Sequence, residues 1–253
     1  MLTLLVWWSG ILLEALLLVR GARQHLLGRY AIFYSYVLFV FVQEFVRLST
    51  YQWFPRNYSA VYWVTEFLGL VIGAGVVCEI YKVALRSFPG TARMARNLLL
   101  LVFTLVFTKA LVGVPRSLAS WFSQPFEYLE RDLRIVQALA ILTLVFLFVW
   151  YVIPFGKNLK GILTGYSVFV AASMTQLTLL PYLPASVRQL WSYLQPICYL
   201  SVLVFWTCTL WSEHPVSESR PSIQLENDYD SLVASTRSRL RRLRARLVWV
   251  NHL

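Results

Sequence analysis

An all-α polytopic membrane protein, a bundle of seven transmembrane helices, is the fold class this sequence predicts. Three observations carry it. Hydrophobic residues make up 58% of the 253 residues and charged residues only 14%, against roughly 25% charged in a soluble domain. Seven apolar stretches, each near the ~20 helical residues that cross a bilayer core, follow one another with short loops between them. Most of the Lys and Arg fall on every second loop or in the C-terminal tail.

The seven segments run approximately over 2–19, 30–49, 59–81, 97–115, 134–153, 162–183 and 191–211. The first has no basic stretch before it, has no small-x-small cleavage site after it, and ends at Arg20. It reads as a retained helix rather than a signal peptide. Pro115, Pro154, Pro181 and Pro184 stand at or near segment ends, where a missing amide donor costs least. Pro196 lies inside the seventh segment and is expected to bend it. Cys78, Cys198 and Cys208 all lie in apolar segments without CxxC spacing, which argues against a disulfide framework or a zinc site.

Orientation follows from the basic residues. One side has Arg20, Arg23, Arg29, Lys82, Arg86, Arg93, Arg96, Lys157, Lys160, Arg220 and six tail arginines. The other has Arg47, Arg56, Arg116, Arg131, Arg134 and Arg188, and Lys109 falls within a helix. The positive-inside rule then places the N-terminus outside and the C-terminus in the cytoplasm. Trp53, Trp121 and Trp191 mark the outer interface, Trp150 and Trp211 the inner one.

A charged side chain at the bilayer centre costs about 2.5–3.5 kcal/mol on insertion scales, so intramembrane polar residues mark sites or snorkelling ends. Glu44, Glu66, Lys109 and Gln195 come from four segments and fall at one expected depth, roughly 7–10 Å below the outer surface. Arg47 is one helical turn after Glu44. This set reads either as an outward-facing ligand pocket or as polar glue between helices. Nearer the inner side, Glu79 and Lys82 form an i, i+3 pair, with Glu14 grouped beside them; snorkelling explains these more simply than a site does. Glu127, Glu130 and Asp132, beside Arg131 and Arg134, read as a solvated helix start or as the rim of an outer pocket.

Much chemistry is absent. His25, His214 and His252 all lie outside the apolar segments, which excludes haem ligation by paired intramembrane histidines and histidine-based zinc hydrolysis. The seventh segment has no lysine for a retinal Schiff base. GxSxG, HExxH, P-loop and GxGxxG motifs are missing. Ser173, Thr175 and Thr178 have no base nearby in sequence and are expected to bond their own helix's carbonyls. No metal, cofactor or catalytic residue is expected.

The tail divides in two. Residues 212–230, with Glu213, Glu218, Glu226, Asp228 and Asp230, read as an acidic flexible linker. Residues 231–253 read as a basic amphipathic cytoplasmic helix. Val233, Thr236, Leu240, Leu243, Leu247 and Val250 line one face, with Arg237, Arg239, Arg241, Arg242, Arg244 and Arg246 elsewhere. As a coiled coil the seam is short and the arginines repel. On an anionic inner leaflet both faces are satisfied.

The stretch Leu129–Gly161, through Glu130-Arg131-Asp132-Leu133-Arg134 and Gly156-Lys157-Asn158-Leu159-Lys160-Gly161, resembles a segment of uncharacterised bacterial seven-helix membrane proteins. The resemblance implies a multi-pass protein of the bacterial inner membrane and no particular activity. Expected partners are the bilayer, anionic lipids at 231–250 and a cytoplasmic protein, not nucleic acid. Three functions stay open. One is a sensory or signalling protein with an outer pocket. Another is a small transporter or channel with three-helix halves joined by one linker helix, hinted at by Tyr34-Ser35 and Tyr166-Ser167 and by the spacings Pro55 to Glu66 and Pro184 to Gln195. The third is a lipid-directed enzyme using Glu44 or Glu66 as base.

Overall fold

The computed structural model describes residues 2–86, 88–112, 124–151 and 156–211, with short stretches at 230–231 and 234–236. Nearly all of the linker 212–230, and the six tail arginines, lie outside the described residues. Among those described, regular structure is helical throughout. Seven long helices account for it: α1 (Leu2–Arg23), α2 (Ala31–Trp53), α3 (Tyr58–Ala84), α4 (Pro89–Val112), α5 (Gln124–Tyr151), α6 (Lys157–Met174) and α7 (Ala185–Thr209). A single turn, Leu26–Arg29, joins α1 to α2, and α6 continues through a wide π turn over Thr175–Leu179 and a 3-10 turn over Leu180–Tyr182.

The helices start and stop where proline and polar residues dictate. Pro55 opens the 3-10 turn before α3, Pro89 is the first residue of α4, and Pro184 precedes α7, positions where the missing N–H would be unpaired anyway. Pro196 stands inside α7. Several helices outrun their predicted segments. α2 reaches Trp53 rather than residue 49, α5 begins at Gln124 rather than 134, and α7 at Ala185 rather than 191. Hydropathy marks only the apolar centre of such a helix; polar residues continue its hydrogen bonding beyond that.

Among the described residues, four helical stretches are long and apolar enough to cross a bilayer: Ala31–Trp53, Pro55–Ala84, Lys157–Tyr182 and Ala185–Thr209. They support a membrane-embedded protein. Large apolar side chains such as Leu12, Leu98, Leu105, Leu142, Phe146 and Trp150 stand exposed around the bundle, a surface suited to lipid rather than water.

Packing contacts close a ring. α2 lies between α1 and α3, α5 between α3 and α6, and α7 between α6 and α1. α4 packs outside this ring against α3 and α5, and α3 also meets α6 across it. Hydroxyl bonds fasten the crossings: Tyr81 donates to the Ala140 carbonyl at 2.6 Å and Tyr166 to the Gly73 carbonyl at 2.9 Å.

The two ends of the ring pack differently. At the end bearing Arg20, Arg29, Lys82 and Lys157, here called the basic end, Leu26, Phe33, Val76, Leu159, Ile162 and Trp206 are buried. Arg20 lies 3.5 Å over the Trp211 ring and Gln24 donates to the Trp211 carbonyl at 2.6 Å, tying α1 to the end of α7. Toward the far end none of residues 44–69 or 171–201 is buried, although Leu133, Arg134 and Gln137 of α5 are.

Candidate functional site: a polar interior between the acids and the tyrosines

Glu14 is the most deeply placed acid. It stands midway along α1 with 1% of its surface exposed, about 18 Å from the start of the helix and 13 Å from its end at 1.5 Å per residue. Its Oε1 accepts from the Tyr199 hydroxyl of α7 at 2.6 Å. Its Oε2 is buried without a hydrogen-bond partner among the described residues. Glu44 of α2 lies within electrostatic reach of Glu14 and accepts from the Trp7 indole N–H of α1 at 2.7 Å. Trp7 and Glu14 are seven residues apart, two helical turns, so one face of α1 presents both.

Across the interior stands a cation. Arg134 of α5 is buried, lies 4.9 Å from the Phe169 ring centre, donates to Gln137 Oε1 at 3.3 Å and has Glu130 at 3.9 Å. Gln137 Nε2 is buried without a partner among the described residues. Aromatic rings fill the space between. Tyr36 and Tyr166 have centroids 6.1 Å apart, and Phe169 and Tyr199 are also 6.1 Å apart. A cavity of about 100 Å³ adjoins Phe169 and Tyr199 between α6 and α7, lined also by Ser173, Gln195 and Cys198.

The residues expected to form an outer pocket are distributed as follows. Arg47 and Glu66 pair at 2.9 Å. Arg47 also donates to Thr65 Oγ1 at 3.0 Å and to the Tyr62 carbonyl at 3.3 Å, and lies 4.3 Å from the Tyr62 ring centre. The Gln43 amide, turned with its oxygen toward Arg47, accepts from it at 2.8 and 3.0 Å. Arg47 is thus fully engaged as a staple between α2 and α3. Glu44 turns to α1 instead, and Gln195 lines the α6–α7 cavity while largely exposed. The side chain of Lys109 lies outside the described residues. Because α2, α3 and α7 extend further than the predicted segments, Glu44, Glu66 and Gln195 stand roughly 12–15 Å from their helix ends.

The inner set is also divided. Glu79 accepts from the backbone N–H groups of Ile32 and Phe33 at 2.9 and 2.8 Å. It caps the first turn of α2 from α3, where amides are unpaired and the helix dipole favours an anion. Lys82 is exposed. Glu14 is held by Tyr199 rather than gathered with these two.

Sequence reading missed Gln137 and the burial of Arg134, because it began the apolar segment at 134 and counted Arg134 with the charges around the preceding loop. Their i, i+3 spacing on an otherwise apolar face was the available signal. Tyr36, Tyr166 and Tyr199 gave none, being ordinary in an apolar helix. The hydroxyls of Ser173, Thr175 and Thr178 do bond their own helix, to the Phe169, Ala171 and Met174 carbonyls. Among the described residues no His/Cys/Asp/Glu group could hold a metal ion. Comparison with family models, curated proteins and solved structures found no match.

Proposed function

We propose that the chain is a multi-pass membrane protein of sensory or signalling type, with seven spans, N-terminus outside and C-terminus in the cytoplasm. The observation that carries this reading is the contrast between the well-buried basic end and residues 44–69 and 171–201, none of them buried, with Tyr199 of the second stretch bonded to the buried Glu14. A receptor for a small external ligand needs a polar interior reached from one side and sealed on the other. The cytoplasmic tail then meets anionic inner-leaflet lipid or a partner protein. The bacterial inner membrane is the location taken from the resemblance over 129–161.

Cysteine labelling of intact cells tests orientation and access. In a full-length chain with Cys78, Cys198 and Cys208 replaced by Ser, a membrane-impermeant maleimide should label Arg56→Cys in intact cells and Lys157→Cys only after lysis. The reverse pattern overturns the orientation. With Cys198 alone restored, labelling from outside is expected; a thiol reached only from the cytoplasmic side sinks the outward-facing pocket.

A second reading has its own support. α1 packs on α2 as α5 does on α6, α2 on α3 as α6 on α7, and α7 on α1 as α3 on α5. Two three-helix halves joined by α4 would give that pairing, which suits a small transporter. Solute or ion flux in proteoliposomes, absent from protein-free vesicles, would favour it over a sensor.

A further inference from the structure

Glu14 stands on α1, has 1% of its surface exposed and is more than 10 Å from either helix end. Its side chain cannot reach water by snorkelling. An ionised carboxylate there needs a cation, and among the described residues neither Glu14 nor Glu44 has one. Arg47 pairs with Glu66, and Arg134 lies against Gln137 and Glu130, its Nε buried without a hydrogen-bond partner among the described residues. The titratable groups within reach of Glu14 are Glu44 and Tyr36 from α2 and Tyr199 from α7, the two helices packed against α1. Among the described residues the charged group that acts on Glu14 is therefore another acid. An unpaired buried charge in lipid is costly, and taking up a proton removes that cost.

We propose that Glu14 is a proton-binding site of this protein, loaded and unloaded through Tyr199. The Tyr199 hydroxyl suits this role because it donates to a carboxylate and accepts from a carboxylic acid. Tyr199 also lines the α6–α7 cavity, whose volume of about 100 Å³ has room for about three waters. In uptake, the Tyr199 proton passes to Glu14 Oε1 while the Tyr199 oxygen takes a proton from the cavity side. The hydroxyl is regenerated, and the net change is one proton on the carboxyl. Gln195 and Ser173 on the cavity wall supply polar contacts along the approach. The inference rests on the bundle being membrane-embedded. It holds for a sensor or a transporter alike.

Infrared difference spectroscopy on the full-length protein in lipid nanodiscs tests it at neutral pH. Glu14→Gln should remove one carboxylic-acid C=O band present in the wild type. Tyr199→Phe leaves the carboxyl but removes its hydroxyl partner, so the same band should move in frequency. Glu14→Asp should retain an acid band and provides the comparison if Glu14→Gln does not fold. Loss of a carboxylate absorption instead of an acid band in Glu14→Gln overturns the proposal, as does an acid band unmoved by Tyr199→Phe. Disappearance of the wild-type band on adding sodium at fixed pH also overturns it, in favour of a monovalent-cation site. None of these bands depends on orientation, so cysteine labelling and infrared results fail independently.

Discussion

At the residue scale, the interior polar groups divide into those with full sets of partners and those without. Arg47 is of the first kind, with bonds to Glu66, Thr65, the Tyr62 carbonyl and Gln43. Arg47→Ala should lower stability by about 2 kcal/mol, the scale of hydrogen bonds to charged groups. Glu66→Ala added to it should cost much less than alone, because the partner is already gone. Equilibrium unfolding in mixed detergent checks both, and strictly additive losses would deny the coupling. Glu14 Oε2 and Gln137 Nε2 are of the second kind, buried without partners among the described residues. Of the acids and cations here, Glu44, Glu66 and Arg47 were legible in the sequence because charge inside an apolar run is conspicuous. Arg134 was not, since a charge near the edge of an apolar run looks like a loop residue until the helix is seen to begin ten residues earlier.

At the element scale, close helix approach depends on small residues. Gly161 and Gly165 of α6 face α7, and Gly73 of α3 faces α6. A Cβ at Gly165 would fall on the Trp206 indole, with Cδ1 and Cε2 at 2.8 Å, and one at Gly73 would come within 2.7 Å of the Tyr166 hydroxyl oxygen. The glycines allow both helix pairs to approach closely, as small-residue motifs do in membranes. Gly165→Ala should therefore destabilise by about 1–3 kcal/mol, since Trp206 is buried and an indole is rigid. Gly10→Ala, where a Cβ meets nothing within 4 Å, should be neutral or stabilise by up to about 1 kcal/mol. Thermal unfolding of both variants in one detergent checks the contrast, and equal effects would show that α6–α7 spacing is not set at Gly165.

At the scale of the whole molecule, the tail extends the proposal to the membrane surface. Replacing Arg237, Arg239, Arg241, Arg242, Arg244 and Arg246 by Gln in peptide 231–253 should abolish binding to vesicles containing anionic lipid. The unaltered peptide should bind such vesicles and not neutral ones, as flotation would show; failure to bind anionic vesicles removes the lipid role. The sequence by itself determined the helical class, the positions of seven helices to within about ten residues at their ends, and the alternation of basic loops. It could do so because apolar run length and loop charge are properties of a single segment in its solvent. Only the tertiary structure decided which helices adjoin, that Arg47 serves Glu66 while Glu44 serves Trp7, and that Glu14 meets Tyr199 from a helix 185 residues away. Those pairings depend on helix rotation and ring order, which local hydropathy does not encode. The charge alternation thus predicts an orientation, and packing alone selects which polar residues, among those described, are left without partners in the interior.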